Sequence, residues 1–132
     1  MQVPITALYA GVLALFAFYL SARAGRFRGK AGVSILYGDP IDWTLAERVR
    51  THQNFLEYVP IILVLMGLIE LNSGSSTFLY AVGSLLVIAR IAHAVGLKHD
   101  NMAHKGRFIG AAGTALIMIA SAVYSIWLPL AS

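Results

Sequence analysis

The chain has 132 residues, enough for one compact domain. It is 58% hydrophobic and only 12% charged, against about 25% charged in soluble domains, and its mean hydropathy of +0.73 indicates an integral membrane protein. It contains no cysteine, which excludes disulfides, thiolate nucleophiles and cysteine-based metal sites. The net charge of +4 does not point to nucleic acid, because the basic residues flank apolar runs instead of covering a soluble face.

Residues Pro4 to Ala22 form the first apolar run, 19 residues without a charge, which nearly spans a bilayer core of about 30 Å. The segment before it lacks a positive n-region, so it reads as a retained transmembrane helix over 3–22. Arg23 to Trp43 reads as a loop, broken by Gly25, Gly29, Gly32 and Gly38-Asp39-Pro40. The second helix starts at Asp42 or Thr44 and covers 44–71; Thr44 with Glu47 matches a capping box. At about 42 Å it should project past the hydrocarbon, and Pro60 should kink it. After the short turn Asn72–Ser76, a third helix covers 77–97. A polar loop with His99, Asp100, Asn101 and His104 leads to a fourth helix over 106–130. Gly110, Ala111, Ala112 and Gly113 permit close helix contact there. Tyr124 and Trp127 fit an interfacial aromatic belt. The expected architecture is an all-α, single-domain membrane protein: a four-helix, up-down transmembrane bundle.

All ten Lys and Arg lie in the first or third loop or on adjoining helix segments. The positive-inside rule then places both termini outside and loops one and three in the cytoplasm. A basic pocket at the cytoplasmic end of the bundle is the expected consequence.

Arg50, Asn54 and Glu57, spaced i, i+4, i+7, form one polar line about 10 Å long on the second helix. Ionisable groups on a buried membrane helix normally face a cavity or a partner. Glu57 could be the counter-charge of an arginine on a neighbouring helix, with Arg50 and Asn54 holding a polar anionic ligand. Arg90 and His93 share one face of the third helix, and Arg90 lies about 12 Å inside it. Snorkelling explains that depth poorly; pairing with Glu57 or with a bound carboxylate explains it better. His93 could equally be a hydrogen-bonded packing residue. Arg107 is either a topology anchor or a guanidinium aimed into the pocket, where it could stabilise a thiolate or oxyanion. Arg26, Arg28 and Lys30 read as a topology signal and phospholipid contact, or as a ligand carboxylate contact. The four histidines have no carboxylate at ligand spacing, so no metal is expected.

The segment Glu47–Pro60 resembles the signature of the MAPEG family, the membrane-associated proteins in eicosanoid and glutathione metabolism. Its pattern Arg-x-x-x-Asn-x-x-Glu-x-x-Pro is matched by Arg50, Asn54, Glu57 and Pro60. Arg90 and His93 match an Arg-x-x-His landmark on the third helix, and Arg107 matches an arginine opening the fourth. Gly25-Arg26-Phe27-Arg28 looks like the family's basic segment after helix one. The resemblance covers nearly the whole chain and is closest to the shorter bacterial members. It implies a homotrimer in the bacterial inner membrane, with glutathione bound as co-substrate between subunits near the cytoplasmic face. It implies glutathione transferase or peroxidase activity on lipophilic electrophiles or hydroperoxides that enter from the lipid. By the same resemblance, Arg26, Arg50, Asn54, Glu57, Arg90 and His93 contribute to the glutathione site, and Arg107 stabilises the thiolate. Leu97 and Gln53 depart from residues that several members carry. They favour the alternative, a non-catalytic membrane protein of the same fold that binds a lipid or another anion.

Overall fold

The computed structural model describes residues 2–131, which form four helices: α1 (Pro4–Ala31), α2 (Trp43–Leu71), α3 (Ser76–Gly96) and α4 (Lys105–Leu130). All four are long and apolar enough to cross a membrane. Three of them start and stop within a residue of the expected positions. The exception is α1, which continues nine residues past the expected end at Ala22. Gly25 and Gly29 do not stop it, because no proline follows and a glycine lowers helix propensity without breaking the backbone ladder. It ends at Gly32, whose φ of 66° is the left-handed cap conformation. The expected long loop therefore shrinks to residues 32–42. Arg28 fastens it by donating from Nη1 to the Val33 and Leu36 carbonyls at 3.3 and 3.0 Å.

The helix starts are satisfied by specific side chains. Asp42 caps α2, accepting from the Leu45 N–H at 2.9 Å. The Thr44–Glu47 capping box is not formed, because Glu47 is drawn away to the loop after α3. The α1 start has Pro4 at its first turn and a distant cap: both Glu70 carboxylate oxygens accept, at 2.8 Å, from the Ile5 and Thr6 N–H groups. That contact joins the end of α2 to the beginning of α1. Ser75 caps α3 and also donates its N–H to the Tyr124 hydroxyl at 2.9 Å. His104 caps α4.

Around the bundle the order is α1, α2, α4, α3. The α1/α2 and α3/α4 pairs pack most extensively, α2 lies on α4, and α1 meets α3 along a thinner seam. The core is a column of Leu13, Phe55, Ile62, Met66, Leu79 and Leu86. Large apolar side chains such as Leu15, Phe18, Ile88 and Leu116 point outward, as expected where the solvent is lipid. Glycines set the α3/α4 spacing at one end: a methyl on Gly110 would stand 2.6 Å from the Ala89 carbonyl oxygen, and one on Gly96 would strike the Arg107 backbone. The α1 C-terminus, the α2 N-terminus, the α3 C-terminus and the α4 N-terminus meet at this end, where all the Lys and Arg residues gather.

Candidate functional site

The α2/α4 seam at the basic end carries the polar line. Arg50 and Glu57 pair with each other along α2: Nη1 donates to Oε1 at 2.6 Å and Nη2 to Oε2 at 3.3 Å. Glu57 therefore does not neutralise an arginine of a neighbouring helix, as the spacing had suggested; its partner is two turns away on its own helix. Arg90, 1% exposed, reaches across from α3 to bind Asn54 and not Glu57. Its Nη2 donates to Asn54 Oδ1 at 2.8 Å, and its Nη1 donates to Thr114 Oγ1 at 3.2 Å. Thr114 passes its own proton to the Gly110 carbonyl at 2.7 Å. The Phe55 ring lies 5.9 Å from the Arg90 guanidinium carbon.

Two cavities open on this seam. One of about 60 Å³ is lined by Asn54, Tyr58, Arg90, Ala111 and Thr114. The other, of about 200 Å³, is lined by Trp43, Glu47, Arg50, Lys98, His99 and Arg107. Of these cations, Arg50 is matched by Glu57, which lines neither cavity, and Lys98 has its ammonium 3.5 Å from Glu47. Arg90 and Arg107 make no ion pair among the described residues, and the buried Nε of Arg90 has no hydrogen-bond partner. A buried cation without a counter-charge is strongly disfavoured. Arg90 therefore carries a buried charge that no carboxylate among the described residues balances.

The structure brings Arg50, Asn54, Glu57, Arg90 and Arg107 to one seam, with His93 behind it within electrostatic reach of Arg50, Arg90 and Arg107, but it does not bring Arg26 there. Arg26 is exposed on α1 and lines neither cavity. His93 is buried against Gly110 between α3 and α4, the packing position the sequence allowed, and its Nδ1 has no hydrogen-bond partner. Sequence reasoning missed Thr114, whose only signal is a hydroxyl four residues after Gly110 in a small-residue stretch. It also missed Glu47 as the tie to the loop after α3. Glu47 Oε1 accepts from the His99 N–H at 3.0 Å and lies 2.8 Å from His99 Nδ1. Trp43 stacks on the same imidazole at 5.1 Å. Glu47, His99 and Asp100 place three potential ligand atoms within 4.8 Å, a carboxylate–histidine grouping that linear spacing did not reveal. The Lys98 ammonium on the same carboxylate favours an ion-paired tie over a cation site.

The MAPEG family model matches residues 6–127, which includes every one of these side chains. The chain belongs to the MAPEG family. The chain is 30% identical over 115 residues, 87% of its length and 86% of theirs, to the inner membrane protein YecN of Escherichia coli K12 and to its counterpart in strain O6:H1. No solved structure gives a significant match. This MAPEG chain is thus an all-α, four-helix, multi-pass membrane protein.

Proposed function

We propose that this MAPEG protein is a glutathione transferase with peroxidase capacity, resident in the bacterial inner membrane. Its relatives named as inner membrane proteins support that location. The observation that carries the reading is Arg90: a buried guanidinium held by neutral oxygens, beside a cavity, with no carboxylate of its own. Glutathione has two carboxylates and a thiol. Arg90 offers a guanidinium for one carboxylate, aligned by Asn54; Arg50, held by Glu57, adds positive charge beside it. Arg107 stands by the wider cavity, where a cation beside the thiol raises the thiolate fraction at neutral pH. The thiolate sulfur bonds to an electrophilic carbon, and the leaving group departs with its electron pair. With a hydroperoxide, sulfur takes the terminal oxygen and releases an alcohol. A second glutathione then forms the disulfide and water.

The site needs a second copy of the chain to close it. Glu57 is the fifteenth of 29 residues in α2 and lies about 21 Å from the Leu71 end, inside a hydrocarbon core of about 30 Å. Its side chain and that of Arg50 are 47% and 50% exposed. An ion pair facing lipid at that depth is unfavourable. A neighbouring subunit of a homotrimer covers it and supplies Arg26, with the basic end in the cytoplasm and both termini outside.

Titration calorimetry of the detergent-solubilised protein tests this. The expected result is micromolar to low millimolar glutathione binding, with conjugation of a chloronitrobenzene that falls about a hundredfold or more, roughly the value of one lost charge-stabilising donor, in Arg107→Ala. Absence of glutathione binding to folded protein overturns the proposal and leaves a non-catalytic anion- or lipid-binding protein of the same fold.

A further inference from the structure

A further cavity, about 580 Å³, lies away from the α2/α4 seam. It opens at the basic end between α1, α2 and α3, on the thin α1/α3 seam. Its rim is basic, with Arg23, Arg48, Lys98 and His104. Its body is apolar, with Phe16, Ile91 and Val95 among its walls. We propose that it is a binding site for one anionic phospholipid of the surrounding bilayer, with the phosphate on Arg23 and Arg48 and an acyl chain along Ile91 and Val95.

Arg23 and Arg48 line this cavity, are half-buried, and make no hydrogen bond or ion pair among the described residues. Arg48 Nε is fully buried without a partner. The Phe27 ring, 5.3 Å from the Arg48 guanidinium carbon, fixes that group without using any of its donors. Two adjacent arginines without a counter-ion attract an anion. The fourth rim group is also a donor. His104 Nδ1 accepts the Gly106 N–H at 3.1 Å, so the ring proton sits on Nε2. No carboxylate lines the cavity to receive an ammonium or choline group, so zwitterionic headgroups are disfavoured relative to singly anionic ones.

The depth and the walls identify the source of the phosphate. Arg23 is the twentieth residue of α1, about 28 Å from Pro4, so the rim lies near one boundary of a hydrocarbon core of about 30 Å. Lipid phosphates lie just beyond that boundary. Ile91 and Val95, 49% and 65% exposed, continue from the cavity onto the outer face of α3, which gives an acyl chain an apolar path. A free phosphate would not need it.

Native mass spectrometry of the detergent-solubilised protein with phosphatidylglycerol, phosphatidylcholine or glycerol phosphate tests the assignment. Wild-type protein should retain phosphatidylglycerol in preference to phosphatidylcholine. The double variant Arg23→Gln/Arg48→Gln should bind it about thirtyfold more weakly, the effect of two interfacial cations. Lys30→Gln/Lys105→Gln removes the same charge from exposed positions and should stay within about twofold of wild type. Val95→Trp should weaken phosphatidylglycerol while leaving the rim intact. Equal loss in the lysine variant, or equal retention of both lipids, overturns the site in favour of general surface charge. Competition by glycerol phosphate as strong as by the full lipid overturns the lipid assignment. Helical circular dichroism reports folding; if the double variant is unfolded, Arg23→Gln and Val95→Trp decide between the same outcomes.

Discussion

Arg90→Met separates a ligand-binding arginine from a structural one. The substitution keeps an unbranched apolar stem in the α3 position and removes the guanidinium. Two hydrogen bonds are lost, to Asn54 at 2.8 Å and Thr114 at 3.2 Å. Each such bond to a charged group contributes about 1.5–3 kcal/mol. Against this, a 1%-exposed cation without an ion-pair partner is no longer desolvated. Thr114 keeps its bond to the Gly110 carbonyl, and Asn54 borders a cavity where water can replace Arg90. The opposing contributions leave ligand-free stability within about 2 kcal/mol of wild type in either direction. Ligand binding does not share this cancellation. Removing the buried partner of a ligand carboxylate weakens binding by about 2–5 kcal/mol, or roughly thirtyfold to five-thousandfold. Calorimetry with glutathione and thermal unfolding in the same detergent read the two quantities. Arg90→Lys should behave like Arg90→Met in binding, because an ammonium cannot span Asn54 and Thr114 together. Glutathione affinity within about twofold of wild type, with stability reduced by several kcal/mol, would refute the assignment.

Glu70→Gln at the opposite end should lower stability by about 2 kcal/mol, through loss of the charge-assisted cap on Ile5 and Thr6, with glutathione affinity unchanged; thermal unfolding and calorimetry read both. Gly110→Ala should destabilise by about 1–3 kcal/mol and weaken glutathione binding too, because the new methyl meets the Ala89 carbonyl and the His93 backbone and pushes α4 from α3. Glu47→Gln should loosen the loop after α3, seen as faster amide exchange at His99, because the Lys98 and His99 ties weaken together.

Four apolar runs were enough to place three helices almost to the residue, because in lipid a spanning segment has no alternative to a helix. The end of α1 was misjudged for the converse reason. Past Ala22 the chain leaves the apolar pattern, and Gly25 and Gly29 look like breaks, yet neither needs a non-helical backbone; the first glycine to take a positive φ is Gly32, where α1 ends. The polar line Arg50-Asn54-Glu57 was legible because i, i+4, i+7 spacing is geometry. Its partners were not. Whether Glu57 meets Arg50 or Arg90 depends on how the guanidinium of α3 enters the seam, which the α3/α4 glycine contacts and Thr114 decide. Glu70 was invisible for a similar reason: its partners are backbone groups 64 and 65 residues away, and a backbone N–H leaves no mark in a sequence.

Charge matching divides the basic residues by role more sharply than their positions do. Arg50 with Glu57 and Lys98 with Glu47 are paired internally, and those pairs hold a helix surface and a loop in place. Arg26, Lys30 and Lys105 are exposed at the basic end, where solvent hydrates an ammonium or guanidinium without any partner. Arg28 is held by the Val33 and Leu36 carbonyls. Arg23, Arg48, Arg90 and Arg107 fit none of these groups. Each is withdrawn from solvent, lines a cavity, or both, and none has a carboxylate. Desolvating a cation is unfavourable in any fold, more so where lipid replaces water. On the proposed reading, an anion from outside the chain completes such a charge. The four fall into two pairs on opposite seams of one bundle end, Arg90 with Arg107 and Arg23 with Arg48. On the proposed reading, the first pair draws a soluble thiol tripeptide and the second draws the bilayer itself. The two sites meet at one residue, Lys98, which lines both cavities and is anchored by Glu47.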